Sequence, residues 1–202
     1  MPLTAHSTRR AAASLTAAGL LLVPVSGCGT ADTPRTSVRT ASDTPRVSGV
    51  PEAPKAPSPT RLTVPSLGVD TALLRLGLNE DGTVEVPPAE KGMTAGWYAG
   101  GAVPGEPGAA VLIGHNDTRF GKGVFHDLHT IAEGADITVY DGEGGRTDFT
   151  VTGTETVSKK AFPTEKVYAT TDEPVLRLIT CDGAFDADGH PVDNLIVYAT
   201  SR

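Results

Sequence analysis

Val175-Leu176-Arg177-Leu178-Ile179-Thr180-Cys181-Asp182-Gly183 is an apolar run that delivers a cysteine into a polar, Gly-containing turn. Its aliphatic and β-branched residues predict a strand over Val175 to Cys181. A cysteine at a strand end meets solvent and substrate, whereas one inside the run packs as an inert small hydrophobe. Upstream, Ala109-Ala110-Val111-Leu112-Ile113-Gly114-His115-Asn116-Asp117 repeats the pattern, this time delivering histidine. A thiol and an imidazole at two strand termini point to cysteine-nucleophile chemistry.

Further strands are predicted at Leu62 to Leu67, Thr71 to Leu76, Val84 to Val86, Ile137 to Tyr140, Phe149 to Val157 and Leu195 to Ala199. Gly, Pro and Asp-Gly punctuation between them predicts an all-β barrel or sandwich rather than alternating βαβ units. Short helical turns are expected only around Gly121 to Leu128 and Lys159 to Lys166. Aromatic residues make up only 5% of the chain, so the core must be built from Val, Leu, Ile and Ala. Residues 61–202 are long enough for one such core and are expected to form one domain.

Residues 28–60 are rich in Pro, Thr and Ser, with Pro34, Pro45, Pro51, Pro54, Pro57 and Pro59 opposing helix and sheet alike. They read as an extended linker that holds the head away from its anchor. Residues 1–27 read as a signal peptide: Arg9 and Arg10 precede an apolar stretch too short for a stable span. Val25-Ser26-Gly27-Cys28 resembles a bacterial lipobox, which makes Cys28 the expected lipidation site and the membrane the expected anchor; a signal anchor and ordinary signal cleavage are the alternatives. Export leaves Cys181 as the single thiol of the mature head, since the chain has 2 Cys.

Removing Arg9 and Arg10 with the signal segment takes the formal charge from -7 to -9. An acidic chain with no Lys/Arg stripe gains nothing from phosphate neutralisation, so nucleic acid is not expected as a partner. No Cys or His spacing matches a zinc site, and Asp186, Asp188 and Gly189 lack the remaining ligands of a calcium loop. No metal or cofactor is expected.

These motifs, with Val64-Pro65-Ser66-Leu67-Gly68-Val69, Gly96-Trp97-Tyr98 and Asp193-Asn194-Leu195-Ile196-Val197-Tyr198, resemble the sortases, cysteine transpeptidases of bacterial cell envelopes, and among them the actinobacterial class F type. The resemblance implies an eight-stranded β-barrel, with His115 following the fourth strand and Cys181 ending the seventh. It further implies cleavage of a Leu-Pro-x-Thr-Gly-like (LPxTG-like) surface-protein peptide, with transfer of the acyl part to an envelope amine. Cys181 is the expected nucleophile and His115 the general acid/base. A thiol hydrolase and a catalytically impaired peptide-binding module are the alternatives.

The family usually carries a catalytic arginine in or near the eighth strand. Here Phe185 to Asn194 contains no arginine. Counting from Cys181 places His190 near that position, and counting back from Asp193-Asn194 places Gly189 there. The candidates for the oxyanion role are His190, then Arg119, then Arg177, which shares a strand face with Cys181 by parity; backbone amides alone are the remaining option. Asp117 and Asp182 are candidates for orienting the imidazole, although Asp at such positions also folds turns. Thr180 is a candidate for a substrate-backbone contact, while Trp97 and Tyr98 are expected to pack the barrel.

Overall fold

The computed structural model describes residues 56–187 and 189–202. The signal segment, Cys28, the linker up to residue 55 and Asp188 lie outside the described residues. Ten strands follow in chain order: β1 (Pro59–Val64), β2 (Val69–Leu76), β3 (Ala95–Tyr98), β4 (Gly108–Ile113), β5 (Asp117–Thr118), β6 (Gly121–Lys122), β7 (Asp136–Asp141), β8 (Arg146–Ser158), β9 (Pro174–Phe185) and β10 (Pro191–Ser201). Eight of them close a barrel in the order β1-β2-β3-β4-β9-β10-β8-β7, with β7 pairing back to β1. β5 and β6 form a separate two-stranded ribbon. The pairs β2/β3 and β4/β9 are parallel, and the others are antiparallel.

Strand alternation fills the barrel. Along β9, Leu176 and Leu178 join the main core with Leu112 of β4 and Leu195 and Val197 of β10. Phe125 and Leu128, from the segment after β6, complete the same core. Trp97 is buried there, its Nε1–H donating to the Ala102 carbonyl at 3.0 Å. The expected aliphatic core is present, with the few aromatics where a large side chain must fill space.

The outer face of β4, β9 and β10 is covered too. Val111, Ile179 and Ile196 are buried with Val167, and Tyr98, Phe162 and Tyr168 pack around them. The cover is the segment after β8: a single 3-10 turn at Lys159–Ala161 and the one-turn helix α1 (Thr164–Val167). Burial on both faces explains why Ala109 to Leu112 is continuously apolar rather than alternating.

Several expectations change. β9 does not stop at Cys181 but continues to Phe185, because Gly183 takes φ +80° at a register shift opposite β10 and lets a bulged hairpin extend. An added Cβ at Gly183 would lie 2.3 Å from Asp193 Oδ2, so the site suits glycine alone. The expected strand at Val84 to Val86 is reduced to one bridge, Leu78 to Val84. Gly121 to Leu128 holds β6 and irregular chain instead of a helix, with a 3-10 turn only at Leu128–Thr130. β3 was not expected, whereas the short helical turns over Lys159 to Lys166 are present.

The cover is tethered electrostatically. Lys166 of α1 donates to Glu155 Oε2 of β8 at 2.5 Å, and Tyr198 of β10 donates its hydroxyl to the same oxygen at 2.7 Å. The Lys166 hydrogen bond, then that of Tyr198, holds the Glu155 carboxyl below its ordinary pKa. A depressed carboxyl stabilises the fold above its unfolded pKa and ceases to as pH falls through the folded value. Glu155→Gln should therefore melt slightly below wild type at pH 7, with the two Tm curves converging as pH falls below the ordinary carboxylate range. A gap that persists at low pH would assign the loss to packing instead of charge.

Candidate active site

The parallel ladder between β4 and β9 ends at Ile113 opposite Ile179, with a last bond from Gly114 N–H to the Ile179 carbonyl at 3.1 Å. Beyond it the strands part. β9 continues beside β10, with Cys181 opposite Asn194, while the chain after β4 turns away through His115 and Asn116. Cys181 thus lies inside a strand whose β4 edge is open. Its thiol is free and half-buried. Asn116 Nδ2–H reaches back to the Cys181 carbonyl at 3.1 Å, satisfying a backbone acceptor that the ladder no longer covers.

A cleft of about 490 Å³ opens over the thiol. Its apolar walls are Val84, Val86, Ile113, Phe162, Tyr168 and Ile179, and its polar members include His115, Lys159, Thr180 and Asn194. Burial, then the neighbouring Tyr98, pushes the Tyr168 phenol above its ordinary pKa, so this wall stays neutral. Val84 and Val86 belong to a loop stiffened by its own hydrogen bonds: Asn79 N–H to Thr83 O at 2.8 Å, Glu85 N–H to Gly77 O at 3.1 Å and Gly77 N–H to Glu85 Oε2 at 2.6 Å.

The same loop orients the histidine. His115 Nε2–H donates to the Pro87 carbonyl at 2.6 Å, which fixes the ring and places a proton on Nε2. Nδ1 has no partner among the described residues and is the nitrogen open to exchange a proton. The His115 carbonyl accepts from Phe125 N–H at 2.9 Å, and the flanking Asn116 carbonyl accepts from Gly123 N–H at 2.6 Å.

Of the expected site residues, the structure brings Cys181, His115 and Thr180 to one cleft. The Thr180 hydroxyl is buried and without a hydrogen-bond partner among the described residues. Asp117 and Asp182 do not line the cleft. Asp117 Oδ1 pairs with His126 Nδ1 at 3.1 Å, and Asp182 Oδ2 accepts from Thr156 Oγ1 at 2.9 Å, so neither is engaged with His115.

His190, Arg119 and Arg177 also stay outside it. His190 donates its N–H to Asp186 Oδ1 at 2.8 Å and so stands opposite Asp186, which lies five residues past Cys181 on the hairpin. That is roughly 15 Å along an extended chain. Arg119 is exposed beside the ring of Phe120 in the β5–β6 turn. Arg177 has the right parity, but Ile179 intervenes and its guanidinium stacks on Tyr198 at 4.6 Å while donating to the Leu176 carbonyl at 3.0 Å. Burial holds the Arg177 pKa below its ordinary value. The cation actually beside the thiol is Lys159, its Nζ 3.5 Å from Cys181 Sγ. Lys159, Asn116 and Asn194 were not singled out from the sequence.

The sortase-domain family profile matches residues 62–202. The chain belongs to the sortase family. Among solved structures it is similar to sortase C-1 from Actinomyces oris, at 20% identity and a TM-score of 0.56, covering 71% of this chain and 71% of that one. The Group B Streptococcus Pilus Island 1 sortase C2 is similar at 19% identity and a TM-score of 0.55, covering 71% and 73%. Listeria monocytogenes sortase A gives 20% identity and a TM-score of 0.54, covering 71% and 86%. At such identities the likeness is one of fold, and the eight-stranded barrel is the sortase barrel. No curated protein matches the chain.

Gly123 offers a test of how His115 is held. A Cβ there would lie 2.1 Å from the His115 carbonyl oxygen and 2.5 Å from its carbon, an overlap with backbone that no rotamer change relieves. Gly123→Ala should cost about 1–3 kcal/mol by thermal or chemical unfolding. It should also lower turnover at least tenfold while leaving Cys181 open to alkylation. Wild-type turnover in this variant would show that the position of His115 does not depend on that contact.

Proposed function

We propose that this sortase is a class F type cysteine transpeptidase that cuts a Leu-Pro-x-Thr-Gly-like signal between Thr and Gly. The observation that carries the reading is the half-exposed free thiol of Cys181 at an opened strand edge, in one apolar cleft with His115. Aliphatic and aromatic walls suit the Leu-Pro half of such a peptide. Cys181 gives its thiol proton to His115 Nδ1 and its sulfur attacks the Thr carbonyl, forming the S–C bond as the C=O electron pair moves to oxygen. The tetrahedral species collapses, the C–N bond breaks, and His115 gives the departing amine its proton. An envelope amine, deprotonated by His115, then attacks the thioester and releases the thiol.

The site belongs outside the cytoplasm, as in sortases generally. Among the described residues no helix is long and apolar enough to cross a membrane. Residues 1–27 and Cys28 supply the proposed export signal and lipid anchor, and the Pro-rich segment before β1 supplies the spacer, which ends earlier than residue 60 because Pro59 and Thr60 already belong to β1. Assignment to class F rests on the motifs around His115, Cys181 and Asp193-Asn194.

Mass spectrometry of the head with a Leu-Pro-x-Thr-Gly peptide and a small amine should show a thioacyl adduct on Cys181 and a Thr-amine product. Cys181→Ala should abolish both. Peptide cleaved only to the free acid in the presence of amine would make the protein a hydrolase. Turnover surviving in Cys181→Ala would sink the nucleophile assignment.

A further inference from the structure

We infer that Lys159 is a catalytic residue of this site, supplying from the end of β8 the positive charge for Cys181 and for the oxyanion formed on it. The inference rests on the transpeptidase reading for its substrate, but its geometry stands alone. Across the sheet, Val157 of β8 pairs with Asn194 of β10, and Asn194 pairs with Cys181 of β9. One residue later, Ser158 pairs with Asp193 and ends β8. Ser158 Oγ accepts from Lys160 N–H at 3.3 Å and turns the chain. The turn carries Lys159 back across β10, where its ammonium donates to Cys181 Sγ at 3.5 Å.

The beginning of β10, Pro191-Val192-Asp193-Asn194, holds no cation, although the last strand is where the family resemblance places an arginine. Lys159 fills that electrostatic vacancy from the neighbouring strand. None of the ion pairs among the described residues includes it, whereas Lys166, farther along the same segment, is bound to Glu155. The nearby carboxylates, Asp182 and Asp193, do not line the cleft. The charge of Lys159 is therefore free for the reaction.

When sulfur adds to the substrate carbonyl, the new S–C bond brings the oxyanion next to sulfur. A donor acts on it from about 3 Å. An ammonium already in contact with the sulfur needs only a rotamer adjustment to meet that oxygen. It has three donors and can keep one on sulfur as another turns to the oxyanion. Lysine lacks the planar fork of arginine, so it serves here as a point charge. Removing an oxyanion donor typically costs a hundredfold or more, but exposure to solvent screens Lys159, so a tenfold loss is the floor.

The test uses wild type, Lys159→Met, Lys159→Arg and, as a control, Lys160→Met, each checked for unchanged Tm. Alkylation of Cys181 by neutral iodoacetamide and anionic iodoacetate at pH 7 needs no peptide and reads the local charge directly. Lys159→Met should lower the iodoacetate-to-iodoacetamide rate ratio at least threefold, Lys159→Arg should restore it, and Lys160→Met should leave it at the wild-type value. With peptide and amine, Lys159→Met should lose at least tenfold in kcat with KM within about twofold. An unchanged alkylation ratio in Lys159→Met overturns the inference, as does an unchanged kcat in a system where wild type is active. Loss on His190→Ala with Lys159→Met silent likewise overturns it and returns the role to the last turn. If wild type alkylates with the expected charge preference yet never turns the peptide over, the substrate reading fails while Lys159 stands.

Discussion

The parallel pairing of β4 with β9, and the place where it stops, organises the rest of the molecule. Six residue pairs, from Gly108–Pro174 to Ile113–Ile179, lock two strands that are distant in sequence at the centre of the barrel wall. Parallel neighbours cannot be joined by a tight turn, so the chain between them must travel, and it uses the journey to build β5 to β8. Where the ladder ends, the β4 side yields His115 and the β9 side yields Cys181. Continuing the ladder would close the strand edge over the thiol. Stopping it leaves a gap that Asn116 partly seals by bonding the Cys181 carbonyl at 3.1 Å, so the thiol is accessible while its backbone is satisfied.

The cover over β4, β9 and β10 has a second role. Val167 and the partly buried Phe162 and Tyr168 shield apolar residues on the outer wall, which stabilises the barrel in the ordinary way. Yet Phe162 and Tyr168 also form one side of the cleft. The segment that begins with Lys159 therefore brings apolar wall and cation to the thiol together. Through Lys166 the Glu155 carboxylate ties that same segment to β8.

The barrel was legible because strands with one or two buried faces leave long aliphatic runs between glycine and proline. Cys181 and His115 were legible because each interrupts the polar end of such a run. β3 was not, since Ala95-Gly96-Trp97-Tyr98 has too few β-branched residues to stand out, and its pairing with β2 and β4 decides its state. The extension of β9 was hidden for the opposite reason: Asp182-Gly183 reads as a turn, whereas Gly183 uses its positive φ to form a bulge. Lys159 was invisible to local reasoning because its approach to Cys181 depends on register across three strands. Parity favoured Arg177 and the count from Cys181 to the family's arginine favoured His190, and each rule omitted what decides the outcome: the Tyr198 face in one case, the reach of the extended hairpin in the other.

Histidine geometry constrains how this arrangement can work. The Pro87 carbonyl accepts the Nε2 proton at 2.6 Å, so the neutral imidazole is held as the Nε2–H tautomer and proton exchange is assigned to Nδ1. The anchor lies in the loop that also contributes Val84 and Val86 to the cleft. Cation and imidazole are thus supplied by separate elements, Lys159 after β8 and His115 under the Pro87 loop. In the proposed mechanism the oxyanion is met by lysine and the proton is carried by histidine, so the two tasks need not compete for one side chain.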